Sequence, residues 1–194
     1  MIRFIRENSF GIVFSQVNGQ PTATHLPLLV DTNEDDGIAL LGHFAKANPH
    51  WRELDGADVF VVFQGPHAYI SPLWYVEKDS VPTWNYVAVH VHGKCKIMRD
   101  EQGLHSLLRK MVQFYEPDSP LLEHLDESFY IKLENAIVGF EIEVTVMEGK
   151  SKLSQNKSPV SIQAVIEGLG RSQDYMAHEV AKLMRNALDA SGKE

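Results

Sequence analysis

The chain has 194 residues, of which 44% are hydrophobic and 23% charged, with a formal net charge of −8. That length suits one full domain with an appendage and excludes two large ones. The acidic balance, with a pI near 5.6, argues against a broad basic surface for nucleic acid. Cys95 is the only cysteine, so an internal disulfide is excluded, and no apolar run of about 18 residues is present to span a membrane. The opening MIRFIRENSFG is too polar for a secretory signal, and a cytoplasmic protein is expected.

Ile2 to Glu7 has the spacing of a last helical turn, ended by Asn8 or Ser9. FGIVFSQV (10–17) reads as a strand, followed by Asn18-Gly19, the dipeptide preferred in two-residue hairpins. PTATHLPLLV (21–30) is the expected return strand. An acidic turn, NEDDG (33–37), then leads into a third strand, IALLGHF (38–44). Together they predict an antiparallel meander. Pro27 cannot donate to a ladder, so it should lie on an edge or beside a bulge, leaving main-chain groups near Thr24 and His25 free.

Asn48-Pro49 is a helix-start signal, with Asn48 as cap and a short helix, HWREL, running toward Gly56. VFVVF (59–63) reads as a strand buried on both faces. The stretch from Phe63 to Gly93 then collects Trp74 and Trp84 with three tyrosines, three histidines and three prolines. Such half-polar aromatics suit a flat polar ligand or a partly wet dimer seam, and equally a well-packed loop. Within it begins the strand YVAVHVHGKCKIM. Val87, Val89, Val91, Cys95 and Ile97 share one face, and Tyr86, His90, His92, Lys94 and Lys96 share the other.

Asp100 to Tyr115 is an amphipathic helix by the spacing of Leu104, Leu107, Leu108, Met111 and Phe114. A second helical stretch is expected over LLEHLDESFYIKLENA (121–136). IVGFEIEVTV (137–146) alternates Phe140, Ile142, Val144 and Val146 with polar residues, as a half-buried strand does. The polar KSKLSQNKS then leads to a helix opened by Pro159 and interrupted at Gly168 and Gly170. A final helix is expected over about Ser172 to Leu188. Six or seven short strands with two intercalated helices and a helical tail predict a mainly β fold, a small antiparallel barrel with helical additions. The expected division is a barrel domain, 1–148, with a polar loop and C-terminal helical hairpin, 149–194, packed on it.

His90 and His92 point the same way, but no acidic partner lies near and Cys95 is on the other face, so no metal site is assigned. The pair instead suits a polar pocket or a subunit interface. There is no GxSxG, GxGxxG or GxxxxGK[ST], which excludes the motif-bearing hydrolases and Rossmann or P-loop nucleotide enzymes. GHFAKANPHW nevertheless contains the parts of a phosphate site: Lys46, the cap Asn48 and amides at a helix start. A plain capping loop would look the same.

Taken together, NSFG (8–11), ATHLPL (23–28), GHFAKANPHW (42–51), FQGPHAYISPLWY (63–75), VPTWNYVAVHVHGK (81–94), IVGFEIEV (137–144) and KLSQNK (152–157) resemble the PaiB-type, FMN-binding negative transcriptional regulators. The likeness covers about residues 5–190, and family members usually carry some residues ahead of the first helix. It implies an FMN-binding split β-barrel with a C-terminal helical hairpin, a homodimer with flavin at the subunit seam, and negative regulation of transcription. In that plan the strand with Thr24, His25, Leu26 and Pro27 lines the flavin, and the loop with His43, Lys46 and Asn48 approaches the phosphate. Trp84, Asn85 and Tyr86, with Lys152 and Gln155 from KLSQNK, complete the implied cofactor-binding set. Related oxidases present an Arg-Lys pair where this chain has Lys46 alone, and an arginine where it has Thr24.

Contact with DNA is implied by the family name alone, because no helix-turn-helix with a basic second helix is present. Lys182 and Arg185 of the last helix are answered by Asp174, Glu179 and Asp189. The alternative function is an FMN-dependent oxidoreductase acting on a small molecule. His25, His67, His90, Trp84 and Tyr86 would then be the candidates for orientation and proton transfer. A barrel whose pocket is vestigial and which binds proteins is the third reading. No catalytic residue is assigned.

Overall fold

A computed structural model describes residues 1–32, 37–77, 79–120, 132 and 136–191. The turn expected at NEDDG and the helical stretch expected at 121–136 lie almost wholly outside the described residues. The chain forms two compact units, one of Met1–Phe63 with His90–Glu148 and one of Gln64–Val89 with Gly149–Glu194. Residues 64–89, the aromatic-rich stretch, thus group with the C-terminal segment.

The first unit contains α1 (Ile2–Glu7), β1 (Phe10–Val17), β2 (Gln20–Pro27), β3 (Leu29–Thr32), β4 (Ile38–Ala45) and α2 (Glu101–Tyr115). It also holds the adjoining parts of β5 (Asp58–Ile70), β6 (Thr83–Ile97) and β7 (Ile137–Lys152). The seven strands follow the order β2-β1-β5-β6-β7-β4-β3, and the β1–β2, β1–β5, β3–β4 and β4–β7 registers are antiparallel. Asn18 and Gly19 form the expected hairpin turn with φ of 51° and 74°.

The meander is corrected. PTATHLPLLV is two strands, broken at Leu28: β2 pairs with β1 as far as Phe10↔Pro27, whereas β3 pairs with β4. Pro27 has no N–H to continue the first ladder, and the chain leaves it there. Because β2 and β3 stand at opposite ends of the strand order but are one residue apart, the sheet has to curl until its edges meet. Leu28, fully buried, anchors the crossing with its N–H on Ser9 O at 2.8 Å.

Alternation on β6 holds from Val89 onward, with Val89, Val91, Cys95 and Ile97 buried, whereas Val87 is only half-buried and its neighbour Ala88 is buried. Burial pushes the Cys95 thiol up to about 12, which leaves it an inert packing residue. Two expectations change. β5 extends well past VFVVF, through Pro66, because beyond Val62 no β1 register remains on that side for a missing N–H to break. On β7, Phe140 and Ile142 are fully buried but Val146 is 49% exposed, since β4 covers β7 only as far as Glu143.

The second unit carries α3 (Pro159–Gly170) and α4 (Tyr175–Ser191), the C-terminal helical pair. Its core joins Ile70, Leu153, Ile162, Val165, Ile166, Leu169, Val180 and Met184. Gly168 does not interrupt α3. It lies in the helix because a Cβ there would come within 2.5 Å of the Trp74 ring, so only glycine admits that indole. Ser158 caps α3 through its hydroxyl oxygen, Pro159 follows it, and Glu77 accepts from the hydroxyls of Ser158 (2.9 Å) and Ser161.

Two predictions follow from the packing. A Cβ on Gly93 would sit 2.4 Å from the Glu143 carbonyl oxygen. Gly93→Ala should therefore lower the urea midpoint, by about 2 kcal/mol of stability, because backbone rather than a flexible side chain must move. Glu77 is held down at about 2, first by the Ser161 hydroxyl and then by its own and Ser158 contacts. Its contribution is complete above the ordinary value of 4.5 and is lost as pH falls from there toward 2. Thermal melts of wild type and Glu77→Gln should differ at pH 7 and converge near pH 2; a constant gap would remove Glu77 from the acid response.

Candidate functional site

Asn48 and Pro49 act as the sequence predicts. Asn48 Oδ1 accepts the His50 N–H at 3.0 Å, and the 3-10 helix Pro49–Glu53 begins. This first turn drives the His50 ring inward until the residue is only 2% exposed. Both ring nitrogens are engaged, Nδ1 with Thr24 Oγ1 and Nε2 with Ser15 Oγ, each at 2.7 Å, and Phe44 meets the ring edge-on at 5.5 Å.

Asn48 Nδ2 donates to Thr24 Oγ1 at 3.2 Å, which leaves that hydroxyl one hydrogen and one lone pair to turn toward His50 Nδ1. In either tautomer of the neutral ring one nitrogen donates and the other accepts, so the Thr24 and Ser15 hydroxyls together satisfy the imidazole and bridge it to the two strands. Burial lowers the His50 pKa from 6.5, in keeping with a neutral ring that donates from one nitrogen and accepts at the other. Thr24 and Asn48, two implied cofactor ligands, thus spend their polar atoms on His50.

The other residues of the first unit fall into three places. Leu26 is core. His25 is exposed, with its ring 6.1 Å from that of Phe10. Pro27 and His43 meet at a cavity of about 300 Å³ walled by Leu108, Met111 and Val112 of α2. His43 Nδ1 lies 3.2 Å from Met111 Sδ, which can only accept, and burial lowers the ring's pKa; the neutral ring therefore keeps Nε2 as an acceptor. Lys46 is exposed, and its ammonium has no partner among the described residues. Its backbone is pinned by Lys46 N–H to Ala136 O at 2.7 Å and by Trp51 Nε1–H to Lys46 O at 3.1 Å. A free cation on a fixed backbone has the chemistry a phosphate needs.

In the second unit, Asn85 is fully buried and bonded to Ser154 Oγ at 3.0 Å and Met184 Sδ at 3.3 Å; Ser154 also meets Tyr75 OH at 2.9 Å. Ser154 holds a left-handed φ of 62° to present that hydroxyl. Gln155 is turned into its own loop, accepting from Leu153 N at 2.7 Å and donating to Ser151 O at 2.9 Å. Lys152 reaches Thr83 Oγ1 at 2.5 Å. Trp84 is 53% exposed and Tyr69 46% exposed, ring to ring at 6.2 Å with His67 on the other side of the indole. Tyr86 is exposed on the same strand. Asn85 is thus a buried strut, Gln155 braces its own loop at the surface, and Trp84, Tyr86 and Lys152 face outward.

His90 and His92 stack about Phe60, at 5.3 and 4.8 Å, which joins Phe14 at 6.0 Å in an aromatic stripe across β1, β5 and β6. Among the described residues no cluster of three or more His, Cys, Asp and Glu could hold a metal. Sequence reading did not single out Ser15, His50 or Ser154. His50 stood inside GHFAKANPHW, one residue after a proline that starts a turn, and that position was its only signal.

Fold and residues define a flavin-type split barrel. Residues 1–146 match the family model described as "Putative FMN-binding domain". The chain is 42% identical over 189 residues to "Protease synthase and sporulation protein PAI 2" of Bacillus subtilis, covering 95% of this chain and 90% of that protein. An uncharacterized protein of Emericella nidulans is 27% identical over 98% of the chain and 92% of its own length. In solved structures the flavocytochrome Anf3 of Azotobacter vinelandii aligns with a TM-score of 0.62 at 16% identity, over 78% of this chain and 65% of that one. The FAD and heme binding protein of Mycobacterium smegmatis aligns at 0.60 and 12%, over 78% and 69%. These two show the fold. The chain belongs to the PaiB-type FMN-binding family, and FMN is the cofactor that this membership assigns.

His50 yields the prediction here. His50→Ala leaves Ser15, Thr24 and Asn48 without their partner and should cost about 3 kcal/mol in urea unfolding. Wild-type stability should be flat above 6.5 and fall below it, because the unfolded ring takes up a proton that the folded ring refuses. That part of the fall should vanish in His50→Gln; an unchanged pH profile would show that the ring is not held neutral.

Proposed function

We propose that this chain is a homodimeric, cytoplasmic FMN-binding protein that acts in negative regulation of transcription, with flavin at the subunit seam. The observation that carries the reading is the 42% identity to "Protease synthase and sporulation protein PAI 2" over 95% of the chain. The residues fit the cofactor chemically. The free ammonium of Lys46 would hold the phosphate, and His25, Pro27 and His43 would lie along the ring system. Thr24 and Asn48 support that loop from behind through His50. The exposed Trp84, Tyr69 and Tyr86 suit a seam with a second copy, since aromatics with a polar edge tolerate a partly wet interface. When bound, FMN supplies electron or hydride transfer, or a redox-dependent signal.

The second reading is an FMN-dependent oxidoreductase acting on a small molecule. It is favoured by the sign of the surface. On α4 the Lys182 ammonium is met by Glu179 at 3.9 Å, and the chain as a whole is at −8. No helix among the described residues is long and apolar enough to cross a membrane.

The test uses purified protein reconstituted with FMN. Lys46→Ala should weaken FMN binding about tenfold or more while leaving the dimer intact by light scattering. Flavin affinity unchanged in that variant would take Lys46 out of the phosphate site, and a protein that fails to bind FMN at all would sink both readings. Specific DNA retention that survives competitor at moderate salt supports the regulator. Steady turnover of a nicotinamide cofactor with no such retention supports the enzyme.

A further inference from the structure

We propose that the first unit has an anion-binding groove, separate from the flavin-binding residues, that takes a small amphipathic monocarboxylate with an aliphatic tail. The groove runs between α2 and the sheet end formed by β3 and β4, beside the last turn of α1, and has a volume of about 800 Å³. That is the size of a small-molecule site. None of the residues assigned to FMN lines it.

Its floor is apolar, with Leu29, Val30 and Leu41 from the strands and Phe114 from α2. Phe114 is 39% exposed, so apolar surface is left for a ligand to cover. The rim is basic. Ser106, Arg109, Lys110 and Gln113 recur at helical spacing and direct one stripe of α2 to the groove, and Arg6 of α1 joins them. Asp31 is the one carboxylate among the described lining residues, and Lys110 already neutralises it at 2.6 Å. Arg6 and Arg109 are left with no hydrogen bond or ion pair among the described residues.

Two unmatched guanidinium groups above an aliphatic floor, on a chain of net charge −8, are a local reversal of sign. Guanidinium forks recognise carboxylate in plane and bidentately, and the tail then covers Phe114 and Val30, the part of the floor still open to water. A cation would meet Arg6 and Arg109 with like charge, and a neutral alcohol would leave them unpaired. An acidic peptide would also meet the charge, but a groove of about 800 Å³ with a short aliphatic floor favours the small molecule.

Calorimetric titration with decanoate, decan-1-ol and decylamine tests the assignment in the full chain with and without FMN. Decanoate should saturate at one site per chain, with decan-1-ol and decylamine at least about tenfold weaker. Arg6→Gln and Arg109→Gln should each weaken decanoate by about tenfold with an unchanged circular dichroism spectrum, both residues being exposed. Lys46→Ala should bind decanoate as wild type does. Equal affinity for acid and alcohol, or no effect of either arginine, would overturn the proposal. So would displacement of FMN by decanoate together with loss of FMN in Arg109→Gln, since the groove would then be part of the flavin site. Failure of FMN to bind leaves the decanoate result standing by itself.

Discussion

One covalent constraint governs the first unit: β2 and β3 are consecutive in the chain, separated by Leu28 alone, yet occupy the two ends of a seven-strand order. A flat sheet would hold those ends six inter-strand spacings apart, roughly 28 Å, whereas one intervening residue spans only a few ångströms. Curling is therefore imposed by connectivity before any side chain is considered. Pro27 ends one ladder, and the Leu28 N–H, turned to Ser9, secures the crossing. The closing edges then need something to fill the space between them. His50 does this, taking Ser15 and Thr24 from β1 and β2 on one side and Phe44 from β4 on the other.

That choice of filler decides which polar groups remain for a ligand. A buried imidazole must satisfy both nitrogens, and each partner it recruits is withdrawn from solvent. Thr24 and Asn48 are recruited in this way, so on the proposed reading the strand and loop are left His25, Pro27, His43 and Lys46 with which to meet FMN. At Thr24 a hydroxyl suits its place, because a side chain that only donates could not accept from Asn48. On the proposed reading the phosphate charge falls to Lys46, whose backbone is fixed at both its N–H and its carbonyl while its ammonium has no partner among the described residues. Similar logic in the second unit makes Asn85 a strut and leaves Trp84 on the surface.

Most strand positions, the Asn48 cap, α2 and the terminal helical pair were legible because each rests on local periodicity or a capping residue. The crossing at Leu28 was only half legible. Pro27 marked an edge, but nothing local says that the residues after it join a strand at the far end of the sheet. The reach of β5 was missed because a proline usually ends a strand, and only the loss of β1 as neighbour makes Pro66 harmless. Gly168 read as an interruption because its partner, Trp74, is remote in sequence. The site was legible as a set of segments, through the family likeness, but not atom by atom. Whether Asn85 faces a ligand or Ser154 depends on tertiary packing that leaves no mark on the spacing of TWNY.

The distribution of charge follows from the same packing. An acidic chain repels anions at long range, so any anion it binds must be met by cations whose own carboxylate partners have been removed or tied elsewhere. The first unit offers two places for this by different means. At Lys46 the neighbouring loop is held by backbone and indole contacts, and the ammonium has no partner among the described residues. At the α2 groove the one carboxylate among the described lining residues, Asp31, is paired to Lys110, and Arg6 and Arg109 have no partner among the described residues. The proposed phosphate and carboxylate sites can therefore coexist on a chain of net charge −8, because each would be made by local neutralisation rather than by a basic field. Broad, sequence-independent attraction to DNA has no such local solution. A regulator built on this chain has to reach DNA through a few specific contacts or through a partner.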